Sequence, residues 1–303
     1  MKILKNWLAV GALLCSAPAA ALNIFACEPE WQALAQEIAG DKADIYVATS
    51  AQQDPHRVQA RPGLISAVRR ADLVFCTGAG LEAGWLPLLL GKASNARVQS
   101  APGLLLAAEH VTLLDKPAQL DRAEGDIHAA GNPHIHFDPR RILQVASVLA
   151  QQLQQLDPGN AAYYQARLST FEATWREHIQ QWESQAASLR GVAVIEHHRS
   201  WRYLLDWLGI QPVGELEPKP GIPPSPGHLQ HLLLDQDARG ARLILYAAIN
   251  GDKASHWLAS HSSACAVELP YTVGGDEDSA SLSDFYATLV TRLVETLAQC
   301  PHE

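Results

Sequence analysis

The chain has 303 residues, 48% of them hydrophobic, and a formal net charge of −9 at pH 7. This acidic balance argues against a nucleic-acid-binding protein, because such binding depends on lysine and arginine neutralising phosphates. It is compatible with a cationic ligand, but acidity is also common among proteins that are simply soluble. Beyond the N-terminal stretch no apolar run reaches the roughly 20 residues of a membrane span, so the mature protein is not expected to cross a bilayer.

The first 21 residues have the three-part layout of a secretory signal peptide. Lys2 and Lys5 precede an apolar stretch from Trp7 to Cys15, and small residues follow up to Ala21. We therefore predict cleavage after Ala21 and export to the periplasm. Since two lysines leave with the signal, the mature protein has a formal charge of about −11. Lipidation at Cys15 is the alternative, which the bulky residue before it disfavours.

Four cysteines remain after this cleavage: Cys27, Cys76, Cys265 and Cys300. An even number in an oxidising compartment permits disulfides, although four cysteines allow three different pairings. We predict a bridge between Cys265 and Cys300, because both lie in the last segment and would tie the C-terminal helix to its sheet. Cys27 and Cys76 lie in apolar, strand-like runs and are interpreted as buried thiols.

Short apolar runs rich in β-branched residues alternate with stretches that have a helical pattern. The runs expected to form strands are Leu22 to Cys27, Ala43 to Ala48, Ala71 to Cys76, Val192 to Ile195, Arg242 to Ala247 and Cys265 to Leu269. The expected helices include Trp31 to Ala39, Pro62 to Arg70 and Pro139 to Leu156. Because such alternation is typical of parallel sheets, we predict an α/β protein in which each half is a mostly parallel sheet flanked by helices.

One long segment interrupts this alternation. Apolar residues recur every three or four positions at Tyr164, Leu168, Phe171, Trp175, Ile179, Trp182, Ala186 and Leu189. This spacing predicts one amphipathic helix, on the order of 48 Å long, which suits a rod between two lobes. The predicted organisation is a signal peptide at 1–21, an N-terminal lobe at 22–156, a spine helix at 157–190 and a C-terminal lobe at 191–303.

Three of the thirteen histidines stand after strands or at a helix start, and an acidic cluster follows the last strand. They are His56 after Asp54-Pro55, His134 after Asn132-Pro133 and His198 after the fourth strand; the acidic cluster begins at Asp276. A proline before His56 and His134 restricts the backbone and stiffens the loop that carries each ring. Each motif alone is typical of an ordinary turn, but three histidines in such positions indicate a shared site.

The positions of these residues predict that they meet. In open α/β sheets, ligands bind beyond the carboxyl ends of the strands, so we expect His56, His134, His198 and Asp276 to converge between the lobes. Three imidazoles and one carboxylate fill the four tetrahedral positions of Zn²⁺. A complete shell leaves no position for a reactive water, so this set favours binding over hydrolysis.

The order of these motifs resembles the zinc and manganese solute-binding proteins of ABC importers, the ZnuA and TroA type. The motifs that carry the resemblance are Asp54-Pro55-His56, Ala71-Asp72-Leu73-Val74-Phe75, Gly78-Ala79-Gly80-Leu81-Glu82, Asn132-Pro133-His134, Asp138-Pro139-Arg140 and His198-Arg199-Ser200-Trp201. The resemblance covers nearly the whole mature chain. It implies two α/β lobes joined by a rigid helix, an ion buried between them, ligands at His56, His134 and His198, and delivery of the ion to a permease in the inner membrane.

The fourth ligand stays open at this point. Many relatives have an aspartate directly after the last strand, where this chain has Pro270-Tyr271-Thr272, so Asp276 is the candidate. Asp278 or water are the alternatives. The third ligand has alternatives too, since Glu196 and His197 adjoin His198, but the match of Ser200-Trp201 to the family pattern supports His198.

The choice of metal follows from the type of ligand. Manganese sites of the family resemble two histidines with two carboxylates, because that harder ion prefers oxygen. A third histidine therefore favours zinc. We also predict that His128 and His136 belong to a short loop through which the ion enters, with an ordinary surface loop as the alternative.

The predicted function is that of a monomeric periplasmic zinc-binding protein that serves an ABC importer and is not an enzyme. The alternatives are the same scaffold carrying manganese or iron, a zinc-dependent hydrolase, and a surface adhesin or metal buffer. The hydrolase is disfavoured because the chain has no His-Glu-x-x-His motif.

Overall fold

The computed structural model describes residues 21–117, 125 and 128–301. The predicted signal peptide, including Cys15, lies outside these residues apart from Ala21. Within the described residues, eight strands form two four-stranded sheets, and nine α-helices surround them. None of the described helices is both long and apolar enough to cross a bilayer.

The first sheet is built from the N-terminal part of the chain. Its strands are β1 Leu22–Ala26, β2 Ala43–Val47, β3 Leu73–Cys76 and β4 Leu104–Leu106, and the helices are α1 Pro29–Ala39, α2 Pro62–Arg70, α3 Leu86–Ala93 and α4 Pro139–Leu156. The strands are parallel and their order is β2-β1-β3-β4. The parallel sheet predicted from the alternation of strands and helices is therefore confirmed. Strand β4 is missing from the prediction because a run of three leucines is too short to show a period.

The second sheet is built from the C-terminal part. Its strands are β5 Ala193–Glu196, β6 Gln211–Glu215, β7 Leu243–Tyr246 and β8 Cys265–Glu268. They too are parallel, in the order β6-β5-β7-β8. Strand β6 is missing from the prediction because Pro212 and Gly214 interrupt its pattern, which is typical of an edge strand.

A long helix connects the two sheets. α5 spans Ala161–Gln185 and continues into a 3₁₀ turn at each end, so helical structure runs from Pro158 to Leu189 as predicted. The eight side chains of the predicted apolar stripe are buried. The remaining helices of the second half are α6 Arg202–Leu208, α7 Pro226–Arg239, α8 Lys253–Ser260 and α9 Leu282–Gln299. α5 packs against α1, α4 and α9, and the largest of three hydrophobic clusters among the described residues extends through both halves.

Two disulfides connect neighbouring elements. The predicted bridge between Cys265 and Cys300 is confirmed, with the two Cα atoms 5.9 Å apart. Cys27 and Cys76 also form a disulfide, so their interpretation as buried thiols is wrong. The reason lies in the sheet register. Ala26 of β1 pairs with Phe75 of β3, so the residues that follow them, Cys27 and Cys76, are also neighbours, with Cα atoms 4.8 Å apart.

Candidate metal centre

Four histidines from both halves of the chain meet beyond the carboxyl ends of the strands. His56 lies in the 3₁₀ turn that follows β2, and His198 lies two residues beyond the end of β5. His134 precedes the turn that leads into α4, and His128 lies in the long connection after β4. This is where open α/β sheets bind ligands.

The rings of the three predicted histidines are close neighbours. The centroid distances are 5.6 Å from His56 to His134, 5.7 Å from His134 to His198 and 6.1 Å from His56 to His198. Imidazoles that share one ion through bonds of about 2.1 Å have centres roughly 5 Å apart. The structure therefore brings His56, His134 and His198 together.

His128 is the fourth member of this cluster. Its ring centroid lies 5.2 Å from that of His56 and 6.4 Å from that of His134. The Nε2 atoms of His128 and His56 are 3.2 Å apart, whereas two nitrogens bound to one tetrahedral ion at about 2.1 Å stand roughly 3.4 Å apart. The sequence predicts an entrance loop at His128, but the structure places the ring inside the cluster.

The cluster is slightly more open than a closed metal shell. In the described part of the chain, one trio has ligand atoms that all lie within 4.8 Å of one another, namely Cys27, Cys76 and Glu82. The two sulfurs of that trio are bonded to each other, so they do not offer the thiolates that a metal requires. No histidine trio among the described residues reaches the same spacing, so the rings would have to draw together around an ion.

Carboxylates orient two of the four rings. Nδ1 of His56 lies 2.7 Å from Oδ1 of Asp54, and Nδ1 of His198 lies 2.7 Å from Oε2 of Glu217. Burial acts to raise the pKa of Asp54, but the hydrogen bond and charge of His56 outweigh it, so this pKa lies below its usual value. A carboxylate on Nδ1 fixes the tautomer that presents the Nε2 lone pair to a metal and increases its basicity.

Neutral groups hold the other two rings. Nδ1 of His134 lies 3.1 Å from the hydroxyl of Tyr271. His128 forms a hydrogen bond with the Ala79 backbone that raises its pKa, which identifies the carbonyl as the acceptor. Its Nδ1 also lies over Gly80, where an added Cβ would approach it to 3.4 Å. In all four rings Nε2 is therefore the nitrogen left for an ion.

The backbone of the His134 loop is tied to the second half of the chain. Asn132 accepts a hydrogen bond from the His134 N–H at 3.0 Å and donates one to the Arg199 carbonyl at 2.7 Å. The Tyr203 hydroxyl donates to the Asn132 carbonyl at 2.6 Å. Asn132 thus joins the loop that carries one histidine to the loop that carries the next.

Two of the rings are held neutral. Burial first, and then the charges of His56 and His198, hold the pKa of His134 well below its ordinary value. The same causes lower the pKa of His128 to about 4. Because a metal binds neutral imidazole, these rings need not lose a proton to become ligands at neutral pH.

Asp276 is not brought into the histidine cluster. Its carboxylate lies 2.8 Å from Nη1 of Arg292 on α9, and it accepts a hydrogen bond from the Asp278 N–H at 3.1 Å, capping a 3₁₀ turn. Asp278 is exposed and pairs with the same arginine at 3.0 Å. In the segment directly after β8, Tyr271 contacts His134 through its hydroxyl.

Three residues next to the predicted ligands in sequence are buried and held by other contacts: His136, predicted to lie in the entry loop, and Glu196 and His197, the alternatives to His198. His136 is buried, with Nε2 3.1 Å from the Tyr271 carbonyl, so it does not share the position of His128. Glu196 is fully buried and pairs with Arg202 at 2.5 Å. His197 is buried and turned toward Ser255 of α8.

Sequence reasoning missed the groups that orient the rings. The short spacing in Asp54-Pro55-His56 is a signal that could have identified Asp54. Glu217 and Tyr271 are distant in sequence from the rings they contact, and no spacing pattern links them. Their roles depend on tertiary structure.

Comparisons with known proteins agree with this architecture. A manganese ABC transporter substrate-binding lipoprotein, scaA of Streptococcus gordonii, is 25% identical over 150 residues, which cover 50% of this chain and 46% of that protein. The chain thus matches about half the length of such curated relatives. A crystal structure of ZnuA superposes with a TM-score of 0.75 at 22% identity, over 92% of this chain and 99% of that one.

FpvC from Pseudomonas aeruginosa, solved in complex with Mn²⁺, superposes with a TM-score of 0.78 at 21% identity, over 92% of this chain and 99% of that one. At such identities these structures show a shared fold. The family model described as "ZnuA: Zinc-uptake complex component A periplasmic" matches residues 24–300. This match covers almost the whole chain beyond the predicted signal peptide, and the protein therefore belongs to the ZnuA family.

Proposed function

We propose that this protein is the periplasmic metal-binding component of an ABC importer and that its ion is zinc. The observation that carries the proposal is the cluster of His56, His128, His134 and His198. Each ring has its Nδ1 engaged by the protein, and the Nε2 atoms remain for one ion. Such orientation by a surrounding layer of hydrogen-bond partners is typical of metal sites.

The nature of the ligands supports zinc. Imidazole nitrogen suits Zn²⁺, whereas Mn²⁺ prefers carboxylate and other oxygen ligands. Both carboxylates near the rings, Asp54 and Glu217, contact Nδ1 atoms rather than the centre of the cluster. Imidazole also suits iron, so Fe²⁺ on the same scaffold is the second candidate. The S. gordonii protein is named for manganese and the P. aeruginosa protein was solved with Mn²⁺ bound; both statements describe those proteins.

We propose His56, His134 and His198 as three of the ligands. For the fourth position the distances favour His128 over Asp276. The Nε2 of His128 lies 3.2 Å from that of His56, while the Asp276 carboxylate is engaged by Arg292. A fourth imidazole would complete a tetrahedral shell without water.

An uptake role fits this site better than catalysis. The family provides the binding component of an uptake complex and is not a family of enzymes. A zinc hydrolase also needs an open coordination position and a general base. Four imidazole ligands leave no open coordination position. The nearby carboxylates, Asp54 and Glu217, are hydrogen-bonded to the rings and so are not placed as a general base.

The proposed transport unit follows the organisation predicted from the sequence. The signal peptide at 1–21 is removed, and the mature monomer has lobes at 22–156 and 191–303 with the helix at 157–190 between them. The ion is held where the two halves meet and passes to a permease in the inner membrane. The ties between Asn132 and Arg199 support this placement, because they join loops of the two halves beside the rings.

Metal titration tests the proposal. The mature apo protein, titrated with Zn²⁺ and Mn²⁺ against a chromophoric chelator, should show one tight site that prefers zinc by at least about a hundredfold. His134→Ala should weaken zinc binding by about a hundredfold or more, because it removes a ligand. His261→Ala, which removes an exposed histidine elsewhere, is the matched control. Equal affinity for the two metals would contradict the zinc assignment, and unchanged binding by His134→Ala would contradict the site.

A further inference from the structure

The loop between β3 and α3 has an unusual backbone beside the histidine cluster. Gly78, Ala79 and Gly80 are consecutive residues with positive φ angles of 79°, 53° and 90°. Glycine adopts such angles readily, but alanine does so with strain. Surrounding contacts must therefore hold Ala79 in this conformation.

The carboxylate of Glu82 closes this loop. It accepts hydrogen bonds from the backbone N–H of Thr77 at 2.7 Å and from that of Gly78 at 3.0 Å. Glu82 is 2% exposed, so water does not compete with these bonds. The same side chain thus binds both residues that lead into Ala79.

Glu28 supports Glu82 from the protein core. Burial first, and then the charge of Glu82, raise the pKa of Glu28 well above its usual value, and burial raises the pKa of Glu82 to about 7. Glu28 also accepts a hydrogen bond from the Thr77 hydroxyl at 3.2 Å. Neither acid contacts the histidine cluster, so metal binding as described above gives them no role.

The other end of the loop reaches one ring of the cluster. The Ala79 backbone forms the hydrogen bond that orients His128. Gly80 lies against the same ring, since a Cβ added at Gly80 would be in van der Waals contact with Nδ1 of His128 at 3.4 Å. The position of the His128 ring therefore depends on the conformation of residues 78–80.

We propose that Glu82 is a positioning residue for the metal site: by closing the loop of residues 77–82 it fixes the Ala79 backbone, which in turn fixes the ring of His128. This role rests on the proposed function, because it takes His128 to be a ligand. Glu82 acts through that ring and does not touch the ion. Its effect on affinity should therefore vanish when His128 is absent.

A double-mutant cycle tests this dependence. Zinc dissociation constants are measured by chelator competition for the wild type, Glu82→Ala, His128→Ala and the double variant. Each single change should weaken binding by about tenfold or more, and the double variant should bind within about threefold of His128→Ala. Losses that multiply would overturn the proposal, because Glu82 would then act independently of that ring.

Bound Co²⁺ gives a second readout, because its visible spectrum reports the number and geometry of the ligands. Glu82→Ala should show the spectrum of His128→Ala rather than that of the wild type. Glu82→Gln keeps a side-chain carbonyl for the Thr77 and Gly78 donors and should recover most of the affinity. A wild-type spectrum for Glu82→Ala would overturn the proposal.

Asn95→Ala is the matched control for loss of a buried polar side chain. Asn95 donates to the carbonyls of Val68 at 3.0 Å and Ala71 at 2.7 Å in the same half of the chain. Its removal should leave zinc affinity unchanged; an equal loss would show that Glu82→Ala acts by general destabilisation. If His128→Ala binds zinc like the wild type, the four-histidine set itself fails. A weakened His128→Ala beside an unaffected Glu82→Ala would overturn the positioning role alone.

Discussion

Each histidine of the cluster uses its two ring nitrogens differently. Nδ1 is fixed by a partner within the protein, and Nε2 is left toward the neighbouring rings. For His56 and His198 the partner is a carboxylate, which both orients the ring and makes Nε2 a better donor to a metal. Asp54 and Glu217 should therefore contribute to affinity without touching the ion.

Removing either carboxylate tests this contribution. Asp54→Ala and Glu217→Ala should each weaken zinc binding by about 10- to 100-fold, because the ring loses its fixed tautomer and orientation. Chelator competition measures the effect. Asp41→Ala, which removes an exposed carboxylate at the far end of α1, should bind like the wild type. Unchanged zinc dissociation constants in both carboxylate variants would refute the claim that Asp54 and Glu217 raise affinity by orienting the rings.

Asp276, unlike Asp54 and Glu217, is expected to make no contribution to zinc affinity. Its carboxylate is partly exposed and pairs with Arg292, so Asp276→Ala should leave zinc affinity unchanged. Loss of the surface ion pair and of the cap on the 3₁₀ turn should together lower the free energy of unfolding by about 1 to 2 kcal/mol. The pair of measurements is a zinc titration and a chemical denaturation of the same variant. A large loss of zinc affinity would assign the fourth position to Asp276 instead of His128.

At the scale of elements, the loops beyond the carboxyl ends of the strands carry the rings, and the two disulfides connect elements within each sheet region. Cys265 begins β8, at the end of the strand opposite to the cluster, and Cys300 follows α9. This bridge therefore stabilises the second half without shaping the site. Cys27 and Cys76 instead lie at the carboxyl ends of β1 and β3, next to the loop that leads to Ala79.

Removing the Cys265–Cys300 disulfide should lower stability without changing zinc affinity. The double variant Cys265→Ser with Cys300→Ser opens a loop with a sequence separation of 35. Loop entropy predicts a loss of about 4 kcal/mol in the free energy of unfolding. Denaturant unfolding measures this loss, and a zinc titration should show an unchanged affinity. A substantially weaker zinc site would mean that β8 and α9 influence the rings.

The buried pair Glu28 and Glu82 predicts how stability depends on pH. Both pKa values are raised on folding, so the folded protein retains protons that the unfolded chain releases. Their contribution is therefore largest below the unfolded pKa of about 4.5 and is lost as the pH rises through about 7. The lowered pKa values of His128 and His134 act in the opposite sense below about pH 6.5, so the test is the difference between two proteins. Between about pH 5 and about pH 8 the Tm of the apo wild type should fall relative to that of apo Glu82→Gln. An identical slope in the variant would exclude this pair as the cause.

The elements with a clear period were predictable from the sequence, and the short or interrupted ones were not. The apolar stripe of α5 and the 3₁₀ turn after it repeats over about seven turns, a length at which the period is unambiguous, and its buried side chains are those expected. β4 has three residues and β6 contains Pro212 and Gly214, so neither shows a period that local reasoning can detect. Their place in the sheets is set by pairing with β3 and β5.

At the scale of the whole molecule, one core and one cluster join the two halves. The hydrophobic core passes through α5, and the rings meet where loops from both sheets converge. Convergence was predictable for His56, His134 and His198 because each follows a strand or begins a helix. It was not predictable for His128, whose position depends on a contact with Ala79 about fifty residues away in the chain.

The most direct test of the four-imidazole zinc site is X-ray absorption at the zinc edge, on mature protein loaded with one equivalent of Zn²⁺. We predict a shell of four imidazole nitrogens at about 2.0 to 2.1 Å. Three imidazoles with one oxygen would return the fourth position to Asp276 or water. A shell with fewer than three imidazoles would contradict the proposed site altogether.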